Sequence, residues 1–134
     1  MIARDTQPAR FDELLREGAA DGRLLLQRCP ACGSVPNFPR IACPGCLGEL
    51  EWFESAGRGR VESFTVIHRT HHAAYEPHVP IVMALIALEE GAETIATIVG
   101  EDRLTVEIGS PVRVTRGWST LPQFELDDGS ASGY

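Results

Sequence analysis

The hydrophobic pattern near the N-terminus predicts one short helix within residues 1–22. Its apolar side chains recur at helical spacing between a proline that suits a first helical turn and a glycine that ends the pattern: Pro8, Phe11, Leu14, Leu15 and Gly18. A helix of about ten residues is marginal in isolation. We therefore expect its apolar face to dock either on the rest of its own domain or on a partner protein.

The second half of the chain carries the pattern of five short strands. The eight-residue apolar run Ile81–Leu88 is the clearest, because it is too short for a typical helix and a turn follows it. The predicted strands are Arg60–His68, Ile81–Leu88, Glu93–Val99, Val112–Thr115 and Gln123–Leu126. A short segment with helical character, Asp102–Ile108, separates the third strand from the fourth. This arrangement is typical of an OB-type barrel.

Between helix and barrel lie four cysteines in the spacing C-x2-C-x10-C-x2-C: Cys29, Cys32, Cys43 and Cys46. A two-residue gap lets both thiolates of a pair converge on one ion, and a glycine after the pair relieves a turn that needs positive φ. Four sulfurs suit tetrahedral Zn²⁺ in a closed structural site. Because a closed site has no open coordination position, we expect this metal to hold structure and to do no chemistry.

Two other uses of the four cysteines are weighed against zinc. A disulfide framework suits a secreted chain, whereas the N-terminus shows no export pattern. Iron in a rubredoxin-like site has the same ligand spacing, so spacing alone does not separate iron from zinc. We predict one structural Zn²⁺ ion in a mainly β fold, with a short N-terminal helix, a rubredoxin-like zinc ribbon and a five-stranded OB-fold barrel.

Turn-forming residues set the expected domain boundaries. The ribbon is predicted over residues 23–56 and the barrel over residues 57–126, with Gly57-Arg58-Gly59-Arg60 as the turn between them. The tail, residues 127–134, is rich in Gly, Ser and Asp and is expected to fray. Three aromatic residues are predicted to cover the metal or the seam between ribbon and barrel: Phe38, Trp52 and Phe53.

Composition and charge narrow the function. Apolar residues make up 43% and charged residues 23%, which is ordinary for a globular protein. No apolar run approaches the roughly 18 residues that span a bilayer, and no targeting pattern is present, so we expect a soluble, cytoplasmic protein. All 12 basic residues are arginine, which excludes Schiff-base, pyridoxal-phosphate and phosphate-loop chemistry by this chain alone.

The distribution of charge argues against a nucleic-acid partner. The net charge of −7 falls entirely in residues 61–134, opposite in sign to the basic footprint that phosphate backbones require. A single-stranded nucleic-acid binder with the same modules is kept as the weakest alternative, since the barrel also has few aromatic residues for stacking.

Candidate catalytic residues cluster in the loop after the first barrel strand, where four histidines fall within eleven positions: His68, His71, His72 and His78. His71 and His72 are adjacent, so in an extended chain they point to opposite faces, and Glu76 is the only acid in the loop. With the cysteines assigned to metal, no free thiol remains as a nucleophile. We predict no catalytic residue in this chain, and regard the loop as a contact for a partner or ligand, or as solvated.

The order of these parts resembles one known family. The stretches that carry the resemblance are Gly22–Cys29, the two cysteine pairs, Gly57–Arg69, Val79–Ile86, Ile108–Val112 and Leu121–Phe124. Together they resemble the zinc-ribbon/OB-fold acyl-CoA-associated family known as domain of unknown function 35.

The resemblance implies an accessory subunit. Members associate with thiolases, hydroxymethylglutaryl-CoA synthases and thiolase-like aldolases of steroid side-chain breakdown, and some are fused to or complexed with acyl-CoA hydratases. The partner supplies the catalytic residues, and the barrel assists complex assembly and acyl-CoA binding or transfer. A pure scaffold without ligand contact is the rival interpretation.

Acyl-CoA brings phosphates, which prefer arginine forks. The arginines that we select near the barrel are Arg58, Arg60, Arg69, Arg113 and Arg116. In a half of the chain with net charge −7, we expect the partner to supply much of the phosphate contact. The predicted ligand or partner contacts of this chain are Arg58, Arg60, Arg69, His71 and His72.

Overall fold

One helix and seven strands make up the part of the chain that the computed structural model describes, which is residues 8–115, 118 and 121–127. In chain order they are α1 Pro8–Ala20, β1 Leu25–Arg28, β2 Glu51–Glu54, β3 Arg58–Ile67, β4 Ile81–Leu88, β5 Glu93–Val99, β6 Pro111–Val114 and β7 Gln123–Leu126. Short 3₁₀ turns cover Glu76–His78 and Arg103–Thr105. Among these residues, no helix has the length and apolar character needed to cross a membrane.

Strands β3 to β7 form a closed barrel in the order β3-β4-β5-β7-β6. Neighbouring strands are antiparallel except for β5 and β7, which pair in parallel. Along β4 every second side chain is buried, as expected where one face of a strand lines a core. Val61, Ile86, Ile98 and Phe124 are at most 1% exposed in that core. The predicted mainly β fold with a five-stranded OB-type barrel is confirmed.

Strand β3 begins earlier than the sequence predicts. Arg58, Gly59 and Arg60 pair with β6, so of the predicted turn only Gly57 precedes the strand. A side chain at Gly57 would lie 2.6 Å from Val114 Cγ1, and one at Gly59 would meet the backbone carbonyl of Ala87. These glycines permit close packing of strands, a non-local requirement that a local Gly-Arg-Gly pattern does not reveal.

Helix α1 docks on the ribbon of its own chain. Strands β1 and β2 form a two-stranded antiparallel sheet, and Phe11 of the helix meets Trp52 of β2 edge-on, with ring centroids 5.4 Å apart. Leu25 completes this buried cluster, with Leu14 and Leu15 packed beside it. The apolar face of the helix is therefore covered within the molecule.

Ribbon and barrel share one core. Leu24 and Leu26 belong to the same buried cluster as the barrel strands, and Phe53 packs against it. Phe53 lies at the seam as predicted, with the guanidinium carbon of Arg28 4.0 Å from its ring centroid. Trp52 is buried at 1% exposure, under α1.

Hydrogen bonds from the β4–β5 turn tie the linker and the ribbon to the barrel. Glu90 accepts a hydrogen bond from the Ser55 hydroxyl at 2.9 Å and another from the Ala56 N–H at 2.7 Å. The N–H of Glu93 donates to Asn37 Oδ1 at 2.9 Å. These contacts join residues far apart in the sequence, so the barrel fixes the position of the ribbon loop.

Two sequence-based expectations are corrected here. Phe38 covers neither metal nor seam, because the loop that carries it is held through the backbone of Arg40, bonded to Gln27, and leaves the ring 61% exposed. Asp127, assigned to the fraying tail, is 4% exposed and donates its N–H to the carbonyl of Pro111. The remainder of that predicted tail, residues 128–134, lies outside the described residues.

Candidate metal centre and barrel cleft

The sulfur atoms of the four cysteines converge at one point, within 4.8 Å of one another. Cys29 and Cys46 are 3.5 Å apart, as are Cys32 and Cys43. A tetrahedron built on metal–sulfur bonds of 2.3 Å has an edge of about 3.8 Å, so this spacing fits a single four-coordinate ion. The sulfurs are not joined as disulfides, which need a separation of about 2.05 Å.

The two cysteine turns are built on the same hydrogen-bond pattern. In each, the carbonyl of the first cysteine accepts an N–H from four positions ahead, and its own N–H donates to the carbonyl five positions ahead. The four bonds, 2.7 to 2.9 Å long, are Gly33 to Cys29, Cys29 to Ser34, Leu47 to Cys43 and Cys43 to Gly48. Local backbone bonding therefore forms each half of the site.

Both turns require positive φ one residue after the second cysteine. Gly33 has φ 79° in the first turn, as expected for a glycine there, while in the second turn Leu47 has φ 63°. The glycine of the second turn, Gly48, has another use, because a side chain there would lie 3.3 Å from the sulfur of Cys46. The expectation that a glycine relieves both turns therefore holds only for the first.

The four thiols shift one another's pKa values in opposite directions. The Ser34 hydroxyl, 3.3 Å from the sulfur of Cys32, lowers the pKa of that thiol to about 6. At Cys46 the Gly48 backbone lowers the pKa, yet the neighbouring thiols of Cys29 and Cys43 outweigh it and raise the pKa to about 12. Since metal ligands must be thiolates, binding of the ion displaces protons from this cluster.

The metal centre is closed by protein. Cys29 and Cys43 are completely buried with Leu50 beside them, and Cys32 and Cys46 complete the set from the surface. Four sulfur ligands satisfy a tetrahedral ion, and a bound Zn²⁺ would supply structural cross-linking of the two turns.

A cleft of about 770 Å³ opens on the barrel, beneath the loop that joins β3 to β4. Its size falls within the roughly 300–1,000 Å³ typical of small-molecule sites. Its floor is formed by residues of the barrel strands, Ile67, Ile81, Met83, Thr97, Ile98 and Val99. Around the rim lie residues of the loop and of the far wall, Thr70, Tyr75, His78, Arg103, Leu121 and Gln123. A strand face bordered by loops is where OB folds bind ligands.

None of the five predicted contact residues lines this cleft. Arg58 and Arg60 lie on β3 beside β6, where Arg60 donates to the carbonyl of Gly109 at 3.1 Å. Arg69, His71 and His72 lie exposed in the loop. Their role in ligand or partner contact stays a prediction.

The loop histidines form no catalytic constellation among the described residues. His72 Nδ1 accepts the N–H of Ala74 at 3.2 Å, and its ring lies 5.1 Å from that of Tyr75. His72 thus stabilises the loop.

The cation that does line the cleft, Arg103, was not among the arginines selected from sequence. Of those, Arg113 pairs with Glu125 at 2.9 Å, and Arg116 lies outside the described residues. Arg103 falls within the predicted segment Asp102–Ile108. Its position between two barrel strands is the feature of the sequence that could have selected it. Its proximity to the loop depends on tertiary contacts.

Comparison with known proteins matches the two halves of the chain to two adjacent domain families. Residues 16–51 match "ChsH2, rubredoxin-like zinc ribbon domain" and residues 52–116 match "ChsH2, C-terminal OB-fold domain". A solved structure described as "Ltp2-ChsH2(DUF35) aldolase" superposes with a TM-score of 0.74 at 35% identity, covering 90% of this chain and 98% of that chain. The chain belongs to the DUF35 family.

Relatives of different length contain a region similar to this chain. A "Probable enoyl-CoA hydratase alpha subunit" of Thermomonospora curvata is 41% identical over 98 residues, which are 72% of this chain and 30% of the relative. A "DUF35 domain-containing scaffold protein" of Methanothermobacter thermautotrophicus is 38% identical over 89 residues, 65% of this chain and 66% of the relative. The chain thus spans less than a third of the hydratase subunit's length.

Four-sulfur geometry alone does not separate zinc from iron, and the family match identifies the metal. The match to a zinc-ribbon domain covers all four cysteines, and their sulfurs are positioned to bind one ion. The predicted zinc cofactor is confirmed.

Proposed function

We propose that this DUF35 chain is a non-catalytic accessory subunit that assembles with a thiolase-fold enzyme, either a thiolase or a thiolase-like aldolase. In that complex it assists the binding or transfer of acyl-CoA. The observation that carries the proposal is the match over 98% of the DUF35 chain in the aldolase structure. Steroid or other lipid side chains are the substrate class that the family resemblance favours.

The chemistry of the described residues supports an accessory role. Four protein sulfurs complete the coordination of the zinc, which leaves no position for substrate or water. The cleft contains His78 and Arg103 but no acid among its described lining residues, so a paired general acid and base is not assembled there. We infer that the partner carries the catalytic residues.

An acyl-CoA hydratase is the second candidate partner. The hydratase alpha subunit of Thermomonospora curvata contains a region similar to this chain, and that region is 30% of its length. In this alternative the chain acts purely as a scaffold for the hydratase.

The test is affinity purification of the tagged full chain from its own organism, followed by mass spectrometry and reconstitution. We expect a thiolase-fold enzyme or an acyl-CoA hydratase in stoichiometric amount. The purified partner should then turn over its acyl-CoA substrate faster with the wild-type chain than without it. The Cys43→Ser chain, which loses its metal site, is the matched control and should neither co-purify nor activate.

Recovery of nucleic-acid machinery, or a partner whose turnover is unaffected by the chain, would contradict the proposal. A filter-binding assay with single-stranded DNA addresses the remaining alternative, for which salt-sensitive binding is the signature. We expect no such binding, because the net charge of −7 opposes it.

A further inference from the structure

We infer that the partner enzyme docks on the outer face of the barrel beside the ribbon loop, and that it presents there an apolar pocket flanked by arginine. This docking surface consists of Phe38 on the ribbon loop, Leu85 and Ile95 on the sheet, and the carboxylates of Glu62 and Glu93. None of these residues lines the barrel cleft. The choice of an acyl-CoA enzyme as the partner rests on the proposed function, whereas the position and chemistry of the surface rest on the structure.

The ring of Phe38 is exposed, yet the loop that carries it is fixed on both sides. Before it, Asn37 Oδ1 accepts the N–H of Glu93 at 2.9 Å. After it, the Gln27 side chain accepts the N–H of Arg40 at 2.7 Å and donates to the carbonyl of Arg40 at 3.0 Å. An exposed aromatic residue on a fixed loop loses little conformational freedom on binding, which suits it to anchor an interface.

The sheet beside this loop presents apolar side chains to solvent. Leu85 on β4 and Ile95 on β5 are cross-strand partners. Both occupy positions that alternate with buried core residues, so they face away from the barrel interior. Ile95 is 47% exposed and lies two residues after Glu93, to which the ribbon loop is bonded. The loop and this apolar face therefore meet at the start of β5.

Two carboxylates lie at the border of this face. Glu62 has no partner on β4, because the register of β3 shifts between Val61 and Ser63, and a bulge of this kind redirects a side chain. The Glu93 carboxyl raises the pKa of Glu62, first through a hydrogen bond between them and then, after burial, through charge repulsion. Within the described part of the chain, no arginine pairs with either carboxylate.

This pair of acids determines which partner fits. Two adjacent carboxylates without a counter-ion repel one another, and an arginine fork that binds them relieves the repulsion. A second copy of this chain would bring the same two carboxylates to the interface, and like charges placed opposite one another disfavour association. The net charge of −7 acts in the same direction. A protein with an apolar pocket and a flanking arginine complements both parts of the surface.

The experiment measures the affinity of the full, zinc-loaded chain for the protein that co-purifies with it, by surface plasmon resonance. We expect Phe38→Ala to weaken binding about tenfold or more, as loss of an aromatic anchor does. Asn37→Ala keeps the ring but releases the loop, and should weaken binding by a smaller factor. Leu104→Ser is the control, because Leu104 is 52% exposed and lies beyond the opposite end of β5. It should bind as the wild type does.

The charged border is tested by Glu62→Gln at two salt concentrations. We expect binding to weaken about fivefold at about 50 mM salt and less than about twofold at about 500 mM, because salt screens an exposed ion pair. Glu101→Gln, at an exposed position after β5, is the matched control and should leave both affinities unchanged. Equal effects of the two substitutions would remove the flanking arginine and overturn the inference.

Thermal unfolding and zinc content of each variant separate loss of binding from loss of the fold. Undiminished binding by Phe38→Ala overturns the inference while the accessory role stands. If the co-purified protein is no acyl-CoA enzyme but loses affinity for Phe38→Ala, the proposed function fails while the docking surface stands. If no protein co-purifies in stoichiometric amount, both fail. A wild-type dimer in sedimentation analysis that Phe38→Ala converts to a monomer would place a second copy on this surface, and would also overturn the inference.

Discussion

Leu47 takes a left-handed backbone conformation that glycine takes at the equivalent position of the other cysteine turn. Its φ of 63° compares with 79° at Gly33, and its side chain is 80% exposed. A left-handed conformation is unfavourable by about 1–2 kcal/mol for a residue with a Cβ atom. The metal and the backbone bonds of the turn therefore hold Leu47 in a strained state that no side-chain burial offsets.

Exchanging the residue types at these two positions should have opposite effects on stability. We expect Leu47→Gly to raise the free energy of unfolding by up to about 1 kcal/mol, since strain is relieved at some entropic cost. Gly33→Ala should lower it by about 1–2 kcal/mol, and the effect is purely conformational because a Cβ there meets no atom within 4 Å. Urea denaturation of the zinc-loaded protein measures both, and a destabilised Leu47→Gly would contradict the assignment of strain.

A residue's function can be predicted from the sequence when neighbouring residues alone determine its position. The four metal ligands follow from spacing, because each pair is formed by one turn. The position of Arg103 in the cleft does not follow from the sequence, because its side chain is held by the carbonyl of Pro80, which lies on another loop.

At the scale of elements, the ribbon has only a small hydrophobic core around its metal site. The buried cluster there consists of Cys29, Cys43 and Leu50, whereas the barrel core draws on five strands. The opposite side of the ribbon is better packed, since α1 covers β2 through Phe11 and Trp52. The metal therefore stabilises mainly the two cysteine turns, where structural zinc contributes about 10–16 kcal/mol in small peptides.

Removal of the metal should unfold the cysteine turns and leave the barrel folded. After chelation, hydrogen exchange followed by mass spectrometry should show loss of protection over residues 29–48, with β4 and β5 still protected. Cys43→Ser should reproduce this loss and abolish partner assembly, while Arg69→Ala, at an exposed loop position, should leave the fold intact. Metal analysis should give one zinc per chain, and full metal content in Cys43→Ser would refute the ligand assignment.

Element boundaries show where local pattern suffices. Three barrel strands, Ile81–Leu88, Glu93–Val99 and Gln123–Leu126, have the bounds that alternation and turn residues predict. Local glycine content predicts a turn over Gly57–Arg60 and a strand that starts at Arg60, whereas pairing with β6 extends the strand back to Arg58. Non-local pairing thus decides the boundary where propensity is ambiguous.

For the molecule as a whole, Glu90 connects the barrel to the linker that follows the ribbon. Its two carboxylate oxygens accept hydrogen bonds from the Ser55 hydroxyl and the Ala56 N–H. Ser55 is only 6% exposed and in turn accepts the N–H of Gly57. One turn of the barrel thereby satisfies the polar groups of the linker.

Loss of the two hydrogen bonds to Glu90 should destabilise the whole molecule. Glu90→Ala leaves the linker donors without their acceptor and should lower the free energy of unfolding by about 1–2 kcal/mol. Glu89→Ala, on the same turn but exposed, is the matched control and should change stability by less than about 0.5 kcal/mol. Urea denaturation measures the stability of both variants, and equal effects would mean that the hydrogen bonds to Glu90 contribute nothing to stability.

The arrangement of the modules was predictable and their contacts were not. Cysteine spacing and strand count predict a ribbon followed by a barrel. The shared core of Leu24 and Leu26 with the barrel, and the cleft beneath the β3–β4 loop, depend on how that loop and the ribbon fold over the strands, which no local pattern encodes.

The order of strand pairing also bears on how the chain folds as it is synthesised. Both cysteine pairs emerge early, whereas the barrel closes only when β6 pairs with β3, Arg58 with Arg113, and β7 pairs with β5. Contacts between residues distant in sequence form late and slowly, while a metal site of two local turns assembles at once. We therefore expect zinc to be acquired by the nascent chain, so that Leu24 and Leu26 are already in place as a template when the last strands leave the ribosome.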